Sequence, residues 1–148
     1  MTAVEIPAPF TIAKINAAVP ERGKVSEKIA NTEYLGVTLQ VVAPHDGETN
    51  LHMHPGTDAA WIVLSGTAEF YGTASDVFIA QLGVHESITI PRATPYWFKA
   101  AGDEPLVILH VTARTPSYNP DVSRIDLKPQ HEWFGERAAI VKDKALDN

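Results

Sequence analysis

Two histidines one residue apart, His52 and His54, stand in the stretch NLHMHPGTDAAWIVLSG from Asn50 to Gly66. Side chains at i and i+2 of a β-strand share a face, so these imidazoles would look the same way, about 7 Å apart along the strand. If that face is interior, four ring nitrogens need partners, and a cation meets the need. A His-x-His pair with a carboxylate close behind it, here Asp58, suits a divalent first-row metal bound at roughly 2.0–2.2 Å. The alternative for either histidine alone is a surface residue or a hydrogen-bonded core residue. His110 is a further candidate because it interrupts the apolar run LVILHVT. Its own alternative is a core histidine bonded to a backbone carbonyl or water. His45 in a turn, His85 at a strand start and His131 near the C-terminus read as solvated.

The elements that must position such residues are strands. YLGVTLQVVA, AAWIVLS, AEFY, VFIAQL, SITI, YWFKA and LVILHVT follow one another with turn residues between them. About seven or eight short β-rich runs with no helical period predict an antiparallel sandwich or small barrel. HDG and AGDEP carry the Asp, Gly and Pro that tight reversals need. Alternation puts Tyr96 and Phe98 on one face and Trp97 on the other, so one set lines the interior. The run FTIAKINAAV, residues 10–19, predicts a short helix or an added strand. From Thr115 onward Pro116, Pro120 and Pro129 break the chain, which should wrap the outside of the barrel, and the stretch GERAAIVKDKALDN reads as weakly helical.

Composition narrows the partners. The 148 residues suit one domain with a core of its own, and the 45% hydrophobic content is ordinary for a globular chain. Twelve basic and eighteen acidic residues give a formal charge of −6 with no basic cluster, which argues against nucleic acid and anionic membranes as partners. The absence of cysteine removes disulfides, thiolate nucleophiles and zinc-finger sites. No window has the apolar length of a membrane span, and MTAVEIPAPFTIAK lacks a basic segment followed by an apolar core, so a cytoplasmic location is expected.

The pattern G-x4-H-x-H-x3-D from Gly47 to Asp58, continuing through WIVLSG and followed by ESITIP-x4-YWF, resembles the two motifs of the cupin superfamily. The resemblance covers roughly Gly36 to Thr112. It implies an all-β fold, a double-stranded β-helix or jelly-roll barrel, in a single domain over residues 1–148. The core barrel is expected at about residues 34–113, with N- and C-terminal extensions. In that family the first motif supplies two histidines and a glutamate, and the second supplies a third histidine. His52 and His54 match the pair, Gly66 the closing glycine, and the ITIP ending at Pro91 the strand before the second turn. The glutamate position falls on Ala59, one residue after Asp58, and the second-motif histidine position falls on Tyr96. Four residues rather than five separate Gly47 from His52. In the resembling fold the strand of His110 lies beside the one beginning at Asp58 and Ala59, so an inward His110 would reach the space the glutamate leaves.

The resemblance therefore implies His52, His54 and His110 as metal ligands, with Asp58 or Tyr96 in or next to the ligand set. Tyr96, Asp58 and Arg92 are the candidate catalytic residues. A phenol beside a cation has a lowered pKa and can act as acid or base, and an arginine in the turn near the barrel mouth could meet a carboxylate. The implied function is a metal-dependent enzyme for a small chelating substrate: an enol, a diketone, a catechol-like compound or an oxo acid. Fe(II) dioxygenation comes first. Zn(II), Ni(II) or Mn(II) Lewis-acid chemistry (isomerase, cyclase, decarboxylase or lyase) is the alternative, and a non-catalytic small-molecule-binding barrel is another. Exposed strand edges and an added N-terminal segment point to a homodimer.

Overall fold

The computed structural model describes residues 5–47 and 50–127. Its strands are β1 (Lys24–Asn31), β2 (Leu35–Val42), β3 (His52–Met53), β4 (Thr57–Ser65), β5 (Thr67–Gly72), β6 (Phe78–Leu82), β7 (Ser87–Ile90), β8 (Tyr96–Ala101), β9 (Leu106–Arg114) and β10 (Ile125–Asp126). They form two five-stranded sheets, ordered β1-β2-β9-β4-β7 and β10-β3-β8-β5-β6, with every pairing antiparallel. This is the expected double-stranded β-helix. Every β-rich run read from the sequence became a strand of one sheet or the other.

Alternation sets the faces. In β9 Leu106, Ile108, His110 and Thr112 are buried, while the residues between them are partly covered. β4 repeats the pattern with Thr57, Ala59, Trp61 and Val63. Directly opposed residues of antiparallel strands share a face, so the registers build rows across the inner side of the first sheet. One row runs Thr38, His110, Trp61, Ile88, and the next runs Gly36, Thr112, Ala59, Ile90. Below them Ile108, Val63, Val42 and Leu106 meet Ala68, Phe70, Phe98 and Ala100 of the other sheet in a continuous apolar core. The barrel is thus packed solid at one end, and its polar inner residues gather at the other. β2 shows no clear alternation because Thr38 to Val42 are buried on both faces.

The chain crosses from the first sheet to the second at Gly66, the single residue between β4 and β5. Its φ is +82°, and a Cβ there would run into the Pro105 carbonyl. Both facts require glycine.

The ends depart from expectation. Residues 10–19 form neither helix nor strand; the segment is held at Asn16, whose backbone N–H donates to the Glu27 carboxylate at 3.0 Å. The added strand is β1, upstream of the expected barrel start, and it pairs along β2. Its sequence, KVSEKIAN, carries three charges in eight residues. That composition suits a sheet edge better than a core strand and hides it from a hydrophobic pattern. The C-terminal wrap does run outside the barrel, through a 3-10 turn at Pro120–Val122 capped by the Asn119 side chain, and then adds β10 to the edge of β3. His131, Pro129 and the stretch expected to be weakly helical lie outside the described residues. Among the described residues no helix is long and apolar enough to cross a membrane.

Replacing Gly66 with alanine is expected to destabilise the fold by about 2 kcal/mol through backbone strain and the carbonyl clash. Urea unfolding with a midpoint unchanged from the parent would contradict this role.

Candidate functional site

His52 lies in β3, paired in register with Tyr96 of β8 on one side and Asp126 of β10 on the other. β3 is only two residues long, so His54 sits just past it, before the turn at Pro55 and Gly56. The two rings nevertheless lie side by side. Their centroids are 5.0 Å apart at 82°. The His54 ring is 6.3 Å from His110, and Tyr96 is 4.6 Å from His52 and 6.2 Å from His54. His52, His54, Tyr96 and His110 are all buried, and Nε2 of both His52 and His110 is sealed from solvent. The sequence-derived trio of histidines and Tyr96 therefore come together.

Two carbonyls orient the pair. His52 Nδ1 lies 2.7 Å from the backbone oxygen of Asn50, and His54 Nδ1 lies 3.0 Å from that of Ser123. A carbonyl oxygen only accepts, so each Nδ1 must carry a proton, and in the neutral ring Nε2 then holds the lone pair. Protein metal sites commonly fix their imidazoles this way. The Ser123 contact comes from the C-terminal wrap, which Asn50, Arg124 and Asp126 clasp to β3. Arg124 donates to Asn50 Oδ1 and to Asp126 Oδ1, each at 2.9 Å, and the Asn50 amide donates to Asp126 Oδ1 at 3.1 Å. Burial pushes the Asp126 carboxyl up, but the Arg124 bond and charge, with Asn50 and His52, outweigh it and hold its pKa below the ordinary value. A depressed carboxylate stabilises above its unfolded pKa of about 4, so the clasp loosens as pH falls through the acid range.

Trp61 organises the other side. Its indole stacks on His110 at 3.8 Å and 5°, its Nε1 donates to the Tyr96 hydroxyl at 3.2 Å, and its ring packs 4.7 Å from Phe98. One fully buried side chain thus positions two of the site residues. The sequence marks Trp61 only as an apolar strand residue. Its contact with His110 depends on strand register, and no local signal carries that.

Asp58 and Arg92 stand apart from these residues. Asp58 points outward and is exposed, and its carboxylate accepts the Arg92 backbone N–H at 2.9 Å. Alternation explains this: Thr57, Ala59 and Trp61 face inward, so the residue between them cannot. Arg92 is exposed and reaches Ser117 Oγ of the wrap at 3.3 Å. His45 is exposed and bonded to Asp103, and His85 is exposed, as expected of solvated residues. Trp97 packs outside the barrel, stacked 4.4 Å from Tyr71, opposite in facing to Phe98 of the core.

Two imidazoles bound side by side on one ion, with metal–nitrogen bonds near 2.1 Å, hold their centroids roughly 4.5–5.5 Å apart. His52 and His54 meet that spacing. His110 stands outside it, and among the described residues no three His, Asp or Glu side chains are grouped closely enough to hold one ion. The donors therefore fit a divalent cation through the His52–His54 pair, and His110 is the ring that would have to approach.

Comparison with known proteins supports the fold. The cupin domain family matches residues 38–112. No curated protein matches the chain. An uncharacterised protein with a double-stranded β-helix domain from Klebsiella pneumoniae is similar with a TM-score of 0.66 at 16% identity, over 83% of this chain and 98% of that one. A cupin superfamily protein from Desulfitobacterium hafniense gives 0.54 at 18% identity, over 68% and 84%. An RmlC-like cupin from Desulfovibrio desulfuricans gives 0.58 at 20% identity, over 70% and 96%.

At a pH above the histidine range, nitrogen-correlated NMR of the imidazoles is expected to show His52 and His54 both protonated at Nδ1. An Nε2–H tautomer on either ring would show that the carbonyls do not set the lone pairs.

Proposed function

The chain belongs to the cupin domain family, and from that premise we propose that it is a metal-dependent enzyme acting on a small chelating organic molecule, with Fe(II) dioxygenation the favoured reaction. The observation that carries this reading is the close pairing of buried His52 and His54, both tied at Nδ1 to carbonyls, with the buried His110 ring 6.3 Å from His54. His52 and His54 would hold the ion, and His110 would join them if its ring approached. Bound there, it would supply open coordination positions and Lewis acidity and, as Fe(II), the redox capacity for oxygenation.

The chain's own groups do the rest. Three neutral imidazoles leave the cation's charge uncompensated, which favours substrates that chelate as anions: enols, diketones, catechol-like compounds or 2-oxo acids. Tyr96 is the proposed acid or base. The Trp61 N–H bonded to its oxygen fixes where a proton would leave or return at Oη. The packed apolar end closes the barrel behind the histidines and excludes water from that side. The same uncompensated charge supports Lewis-acid isomerisation, cyclisation, decarboxylation or elimination with Zn(II), Ni(II) or Mn(II). The wider His54–His110 separation supports a non-catalytic small-molecule binder.

A homodimer in the cytoplasm completes the proposal. Phe10, Ile12, Ile15 and Val19 expose more than half of their surfaces along the N-terminal segment, an arrangement that favours docking on a second copy. Sedimentation equilibrium is expected to give a dimer for the full chain and a monomer once the first nineteen residues are removed. A full chain that sediments as a monomer removes the dimer from the proposal.

Metal analysis of the purified protein tests the centre. His52→Ala and His54→Ala are each expected to lower bound metal at least about tenfold, as loss of a ligand does, and His110→Ala to lower it too. Asp58→Ala is expected to keep it, because that side chain faces out. Retention of metal by His52→Ala would remove the centre. Oxygen uptake after Fe(II) reconstitution with a panel of chelating enols then separates the chemistries: turnover under nitrogen without uptake assigns the Lewis-acid reaction.

A further inference from the structure

Tyr96, whose ring lies 4.6 Å from His52, also walls a cavity that no histidine lines. The cavity opens between β7, at the edge of the first sheet, and β5 with β6, at the edge of the second. Its volume is about 130 Å³. Phe70, Ile79, Ile88, Ile90 and Tyr96 give it apolar walls, and the Thr94 hydroxyl stands among its few polar groups.

We infer that this cavity is the subsite for an uncharged apolar group of ring size, a phenyl or a branched alkyl, on the molecule whose chelating end meets the histidines. As a substrate subsite it rests on the function proposed above. As a cavity for a neutral apolar molecule it stands by itself.

Size and chemistry carry the assignment. A dry cavity of about 150 Å³ lined by Leu, Ile and Phe accepts benzene, and this one is close to that volume. Among the described residues no Asp, Glu, Lys, Arg or His lines it. A charged group placed there would lose its hydration without gaining a partner.

Register ties the cavity to the histidines. Ile88 opposes Trp61 and Ile90 opposes Ala59 across β7 and β4, so the cavity's isoleucines continue the rows that carry His110 and Thr112. Ala59 leaves that row without a carboxylate. Tyr96 belongs to both walls. The Tyr96 ring is thus where a molecule in the cavity comes nearest His52.

Methyl-resolved NMR of the full chain tests this, with phenol and benzoate as probes and with EDTA present so that metal plays no part. Phenol is expected to shift the Ile79, Ile88 and Ile90 methyls saturably, and benzoate to bind at least about tenfold more weakly. Ile79 is 48% exposed, so Ile79→Trp should fold and block the opening, lowering phenol affinity at least about tenfold. Ile79→Ala should fold and keep binding. Equal shifts from phenol and benzoate, no saturable shift, or undiminished binding in Ile79→Trp would each overturn the subsite. Saturable phenol binding by a parent protein that metal analysis finds empty would keep the subsite and remove the metal-dependent function.

Discussion

The stack of Trp61 on His110, across the register that pairs β4 with β9, is the constraint on which the interior depends. A jelly-roll interior is closed by hydrocarbon, and a polar ring can enter only where a neighbour covers its face and leaves its nitrogens usable. Trp61 does this for His110 and reaches Tyr96 with its one N–H. Its other edge joins Phe70 and Phe98. One indole thus marks the level at which the core changes from packed apolar residues to the histidine-bearing half.

The opposite wall is held differently. His52 and His54 do not rely on stacking against core aromatics. They lean on backbone carbonyls, one from their own segment and one from the C-terminal wrap. The wrap is therefore part of the site. The bonds among Asn50, Arg124 and Asp126 keep Ser123 over His54. The first sheet thus contributes His110 under the Trp61 indole, and the second contributes His52 in β3, hydrogen-bonded through a segment that loosens with acid.

Chemical polarity follows the same division. The histidines gather where donors and a phenol meet, and an uncharged cavity adjoins them through Tyr96. The proposed substrate, with one chelating end and one neutral end, would meet both surfaces. Asp58 and Arg92, which carry charge, are directed outward, where they fasten the turn after β7 to β4 and to the wrap.

Much of this was legible in the order of residues alone. Turn chemistry and apolar runs delimit β2 and the strands from β4 to β9, and the spacing of His52 and His54 marks them as neighbours although only His52 lies in a strand, because both signals are local. The break in LVILHVT marks His110 as inward for the same reason. Tertiary structure alone decided the rest. Whether Asp58 or Ala59 faces the interior depends on the parity of β4 within the sheet. The partners of His110 and His54 depend on which strand and which wrapping segment lie beside them. β1 stayed hidden because an edge strand is stabilised by pairing with β2, and its own sequence carries no apolar period to reveal that.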